Sequence, residues 1–156
     1  MCGAVRYAIA EKPLATGLCH CNRCRPQSGS AFSTVIFVHR SAVTITGETA
    51  DFEDFGSSGL KVLRRYCPRC GSPLFTVPDV TPDLMMVKAG GIDSNEWFQP
   101  IWELFVTQRR PWVAPIPQAR LSSKAIRQSE EEPRGPTVGD AAFVALQIAA
   151  RVGGRF

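Results

Sequence analysis

The sequence lacks an apolar run long enough to cross a membrane. Its longest, "AAFVALQIAARV" near the C-terminus, is interrupted by Gln147 and falls well short of the ~20 residues a spanning helix needs. The opening "MCGAVRYAIA" has neither the apolar centre of a secretory signal nor a small-residue cleavage pattern after one. A block of like charge is also missing. The 18 Lys and Arg residues are scattered and the formal net charge is +4, so neither a nucleic-acid stripe nor a polybasic membrane patch is expected. There is no internal repeat. These absences predict a cytoplasmic protein with no membrane partner and no nucleic-acid partner. In a reducing compartment disulfides do not persist, so the six cysteines ask for a metal or a chemical role.

What is present points to short strands. The chain has 156 residues, enough for one domain with a real core. With 13 Gly and 12 Pro, and apolar stretches rich in Val, Ile, Phe and Thr, long helices are not expected. "GAVRYAIA" alternates Val5, Tyr7 and Ile9 as a strand does. "AFSTVIFVHRSAVTITG" reads as two strands joined around residues 39–41, and "LKVLRRY" as a strand running into "CPRCGSPLF". "LMMVKAGGID" and "IWELFVTQRRPWV" bring the count to six or seven strands by residue 117. After that the texture becomes polar and charged. We expect a domain over 1–120, a flexible linker over 121–140, and a short helix or tail over 141–156, with Asp140 capping a helix that ends near Arg151.

The cysteines fall into three places. Cys67 and Cys70, in "CPRCGS", have the two-residue gap of a zinc knuckle, with Gly71 permitting the tight turn. A knuckle gives two thiolates and must recruit more from Cys2 or from Cys19, Cys21 and Cys24. In "CHCNRC" the gaps of one and two residues let three sulfurs converge from one compact loop. Keeping that trio whole leaves Cys2 to the knuckle. Disulfides are the weaker reading, because Cys-x-Cys bridges are strained.

In this order and at these separations, "CGAVRY", "CHCNRCR", "YCPRCGSPLF", "AGGID" and "RRPWV" resemble the glutathione-dependent formaldehyde-activating enzyme family, which includes centromere protein V. The resemblance covers residues 1 to about 120. It implies a mainly β fold, a β-tent of small antiparallel sheets around zinc sites. It also implies two zinc ions per chain: a structural one at Cys2, Cys67 and Cys70, and one associated with activity at Cys19, Cys21 and Cys24. In that family the first motif is Cys-x-Cys-Gly. Its second cysteine matches Cys2 and its first would precede Met1, so the structural site is expected to be one ligand short.

Zinc with three thiolates carries a net negative charge and is a poor generator of hydroxide, but a thiol can take its fourth position and bind as thiolate. The resemblance therefore implies a carbon–sulfur lyase acting on a thiol–aldehyde adduct such as S-(hydroxymethyl)glutathione, with a small-molecule thiol such as glutathione as partner. The alternative is a non-catalytic zinc module for a protein or nucleic-acid partner. Arg23 and Arg25 flank the last ligand and can meet substrate carboxylates, although a solvated surface role is the plainer expectation for each alone. His20 is expected to face away from the metal, Asp93 to serve a turn rather than as a base, and Trp112 to be a core aromatic.

Overall fold

The computed structural model describes residues 1–56, 59–123 and, as backbone, 148–151. The strands are β1 (Arg6–Ile9), β2 (Ala15–Cys19), β3 (Ser33–His39), β4 (Val43–Thr46), β5 (Ala50–Phe55), β6 (Lys61–Tyr66), β7 (Pro73–Pro78), β8 (Leu84–Lys88), β9 (Trp102–Leu104), β10 (Arg120–Ser122) and β11 (Ile148–Arg151). One short helix, α1 (Cys24–Ser28), stands between β2 and β3. The fold is mainly β, as expected. The eight-stranded sheet runs β10-β9-β2-β3-β8-β7-β6-β5, and a three-stranded sheet runs β11-β1-β4. Pairing is antiparallel except where β9 lies parallel to β2 and to β10.

Period-two alternation sorts the side chains of the large sheet onto two faces. One face carries Ile36, Val38, Phe75, Val77, Met85 and Val87, all buried, and packs with Val5, Tyr7 and Ile9 in the main core. Tyr7 meets Phe75 edge-on at 4.9 Å, the geometry that ring quadrupoles favour. The other face mixes polar groups with Val35, Phe37, Val62 and Met86. Cys19 lies opposite Ser33, Val35 opposite Lys88, Thr76 opposite Arg64, and Arg64 opposite Phe52. Opposite residues share a face, so a polar band runs from Cys19 on β2 to Asp54 on β5.

Among the described residues nine strands precede residue 117, where six or seven were expected. The additions are β2, whose central Gly17 weakens its strand signal, and β5, an acidic edge strand that is mostly exposed. Gly17 is needed where it stands, because a Cβ there would lie 2.8 Å from the Trp102 carbonyl oxygen on β9. The helix expected to end near Arg151 is corrected in part. Residues 148–151 pair with β1 as a strand, giving backbone partners to an edge β1 would otherwise leave open. Residues 141–147 of that helix, and the linker from residue 124 to 140, lie outside the described residues. The linker's first residues, 121 and 122, continue the sheet as β10. Among the described residues no helix is long and apolar enough to cross a membrane.

Candidate metal centres

Two cysteine groups come together, with the membership expected from spacing. Among the described residues, the ligand atoms of Cys2, Cys67 and Cys70 lie within 4.8 Å of one another, and so do those of Cys19, Cys21 and Cys24. No disulfide forms among these six.

The first centre closes one end of the main core. Cys67 follows directly after β6 and is fully buried in that core, with Cys70 packed against it. The turn between them is held by the Gly71 amide donating to the Cys67 carbonyl at 2.8 Å and the Cys67 amide donating to the Ser72 carbonyl at 3.0 Å. Gly71 has φ 73°, a left-handed conformation that glycine adopts without penalty. Cys2 reaches this turn from the chain's start, its sulfur 3.6 Å from that of Cys67. Two thiolates sharing a tetrahedral zinc at about 2.3 Å stand about 3.8 Å apart, so the spacing fits that ion. Hydrogen bonding with Ser72, side chain first and then backbone, holds the Cys70 thiol down at about 6.

The second centre lies on the face that carries the polar band. Cys19 ends β2, Cys21 sits in the following turn, and Cys24 opens α1, whose amide donates to Cys21 Sγ at 3.2 Å. Cys19 and Cys21 are buried and pack with Leu104, Phe37, Trp102 and Phe105. Phe105, at φ 57°, is a rare non-glycine in the left-handed region, where strain tends to be retained for a reason of geometry. Without a metal, the Cys19 and Cys24 thiols resist ionisation. Hydrogen bonds with Cys21 and Cys24, and then burial, push the Cys19 thiol up. At Cys24 a hydrogen bond with Cys19 favours the thiolate, but the bond with Cys21, burial and the neighbouring negative charge outweigh it. Crowded soft donors that cannot ionise together are a donor set for a soft or borderline divalent cation, and zinc fits both centres.

Buried charge supports the second centre from two sides. His20 is fully buried and turned from the sulfurs toward Glu103, with Nε2 and Oε2 2.9 Å apart. Glu103, also fully buried, accepts from Arg109 Nη1 at 3.1 Å and from the Ile116 amide at 2.6 Å. Burial favours its neutral form, but the bonds from Ile116, Arg109 and His20 prevail and hold the carboxyl below its ordinary range. On the other side Arg64, 4% exposed, places Nη1 3.7 Å from Cys24 Sγ and 3.2 Å from Thr76 Oγ1, while its Nε donates to Asp54 at 3.2 Å. Lys88, equally buried, donates from Nζ to Ser33 Oγ at 2.7 Å.

The other expected residues divide. Arg23, about half exposed, faces Asp54 at 3.6 Å. With Pro26, Gln27, Phe52, Asp54 and Arg64 it lines an open groove of about 390 Å³ beside Cys24. Arg25 instead braces the cysteine loop, donating from Nε to the His20 carbonyl at 3.0 Å and from Nη2 to Asn22 Oδ1. Asp93 is exposed on a bend, and its charge bears on Tyr7. Trp112 is corrected: it is 76% exposed, because the turn closed by the Val113 amide on the Arg110 carbonyl carries it outward. Sequence reasoning missed Lys88, Arg64 and Glu103. The strand phase offered a signal for Arg64, since it alternates in step with buried Val62.

The family model described as "Glutathione-dependent formaldehyde-activating enzyme" matches residues 1–108, a span that holds both cysteine groups. No curated protein matches. Three chains of known structure match. One, from a crystal structure of a Rhodobacter sphaeroides protein, is 17% identical with a TM-score of 0.45, covering 63% of this chain and 91% of that one.

Proposed function

The chain belongs to the glutathione-dependent formaldehyde-activating enzyme family, and from that premise we propose that it is a carbon–sulfur lyase interconverting glutathione plus formaldehyde with S-(hydroxymethyl)glutathione. One observation carries this reading. Cys19, Cys21 and Cys24 converge as three sulfurs, and among the described residues no fourth Cys, His, Asp or Glu joins them. A zinc held there by three thiolates would keep its fourth position for a substrate thiol. When bound, zinc supplies a lowered thiol pKa, so that the incoming sulfur binds as thiolate at neutral pH.

The protein's own groups do the rest. In the forward direction the glutathione sulfur bonds to the formaldehyde carbon, the carbonyl π pair moves to oxygen, and that oxygen takes up the proton the thiol gave up. Arg23 stands at the groove's rim, where its guanidinium can take a substrate carboxylate. Arg25 keeps the loop in shape by holding the His20 carbonyl. Leu104, Phe37 and Phe105 keep water from the inner side of the sulfurs. Cys2, Cys67 and Cys70 would hold a second zinc, which would tie residue 2 to the knuckle and supply no chemistry to the reaction. We place the protein in the cytoplasm, where free thiols of this kind are held reduced.

The reaction already proceeds readily without a catalyst, so the test measures exchange. With zinc-loaded protein, magnetisation transfer between ¹³C-labelled formaldehyde hydrate and its glutathione adduct should accelerate. Cys21→Ser should return it to the rate without protein. Zinc-loaded wild-type protein that leaves the exchange rate unchanged overturns the proposal.

A further inference from the structure

Two buried cations lie on the face of the sheet that carries Cys19 and are not used by the reaction as written: Arg64, with Nη1 3.7 Å from Cys24 Sγ, and Lys88, which donates to Ser33 Oγ opposite Cys19. A buried ammonium is costly unless charge and hydrogen bonds compensate it, and one hydroxyl, Ser33 Oγ, is not compensation for Lys88. Ser33 pairs with Cys19 across β3 and β2, which sets Lys88 beside the cysteine centre. Arg64 touches the same centre at Cys24. The acid that partners Arg64, Asp54, is also met by Arg23 at the rim, so that acid and rim cation offset each other.

We propose that Lys88 and Arg64 set the charge of this centre so that its fourth ligand is selected as an anion. The inference rests on the open three-thiolate reading of Cys19, Cys21 and Cys24. Three thiolates around a divalent cation leave one excess negative charge. Lys88 and Arg64 bring two positive charges, so the pocket holds one positive charge more than it needs. A thiolate, having given its proton to solvent, neutralises that surplus. A neutral ligand such as water or an amine leaves it buried and uncompensated, at a cost. Lys88 and Arg64 are thus residues that determine specificity for a thiol over neutral donors.

The test uses the full chain loaded with cobalt(II), whose visible and near-ultraviolet absorption reports the fourth ligand. Azide, 2-mercaptoethanol and imidazole are the anionic, thiol and neutral probes. Replacing Lys88 by Met should weaken azide and 2-mercaptoethanol about tenfold and leave imidazole within about twofold, since only the anions lose a nearby partner charge. Lys88→Arg, which keeps the charge, should restore anion affinity to within about threefold. Arg64→Gln should shift selectivity in the same direction, and it serves if Lys88→Met does not fold. Weakening of all three probes alike, or of none, overturns the proposal. If azide shows the expected selectivity but 2-mercaptoethanol produces no sulfur-to-cobalt band, the charge inference stands and the lyase reading falls. If no probe alters the wild-type spectrum, the fourth position is closed and both fall.

Discussion

The two cysteine centres offer the same ligands, three sulfurs each within 4.8 Å, in opposite surroundings. The Cys2, Cys67 and Cys70 centre is walled by the apolar core, with Cys67 fully buried in it and Cys2 exposed at the surface. The Cys19, Cys21 and Cys24 centre is backed by charge: Lys88 and Arg64 on the sheet face, and the His20–Glu103–Arg109 chain behind the loop. An apolar wall gives a ligand set mechanical purchase on the fold. Fixed cations give it a preference among ligands that come and go. The ligand count alone distinguishes nothing, and the surroundings are the ground on which we propose one centre for holding and the other for binding.

The largest effect should come from breaking the core-side centre. Cys67→Ser removes a ligand and buries a hydroxyl in apolar surroundings, so stability should fall by more than about 3 kcal/mol in urea unfolding. Cys21→Ser should cost less than half as much, because its cluster is small, yet it should abolish metal binding at its own centre. Equal losses from the two substitutions would erase the distinction. Next in size is Glu103→Gln. It leaves His20 and Arg109 without a carboxylate in a buried network, at a cost of about 2–4 kcal/mol near neutral pH. The Glu103 pKa is depressed below its ordinary 4.5. Its contribution is therefore present above that value and fades as pH falls through the folded pKa, so the gap between wild type and Glu103→Gln should close in acid. Zinc at Cys2, Cys67 and Cys70 should survive this substitution while zinc at the other centre becomes easier to chelate.

Much of this was legible beforehand where local spacing decides. The gaps in "CHCNRC" and "CPRC" showed one trio and one pair, because sulfurs a few residues apart converge locally, whereas Cys2, 65 residues from Cys67, could be joined to that pair only by elimination. Alternation found β1, β3, β4 and β6 for the same reason. The surroundings were not legible, since they depend on register between strands far apart in sequence. Lys88 and Ser33 are 55 residues apart, His20 and Glu103 83. Nothing near Lys88 says that β3 will bring it a hydroxyl, and nothing near Glu103 says that its parallel pairing with Leu18 on β2 sets it beside His20. Trp112 misled because "RRPWV" looks like a strand end, while its first arginine is what the fold uses: Arg109 reaches back to Glu103.

A gain of function sharpens the comparison further. A variant with Gly-Cys placed ahead of Met1 offers a fourth thiolate to Cys2, Cys67 and Cys70. It should slow zinc loss from that centre to a chelator by about tenfold or more, since a closed four-ligand set is the norm for a structural site. Thiol binding at Cys19, Cys21 and Cys24 should be unchanged. If both centres respond, they are not independent.

The smallest effect separates the neighbours Arg64 and Arg65, which β6 sends to opposite faces of the sheet. Arg65 pairs with Asp51 through two hydrogen bonds of 2.8 and 2.7 Å at the sheet margin. That bond to Arg65 is the main reason the Asp51 carboxyl is held below its ordinary 3.8. A depressed carboxyl contributes above its unfolded pKa and loses that contribution as pH falls through the folded one. Arg65→Gln should therefore cost only about 0.5 kcal/mol at neutral pH, as partly exposed pairs do, and nothing once Asp51 is protonated. Cobalt spectra and anion affinity should not change. Arg64→Gln, one residue away, should change both, because a partly exposed ion pair trades against water whereas a buried cation beside sulfur has no such substitute.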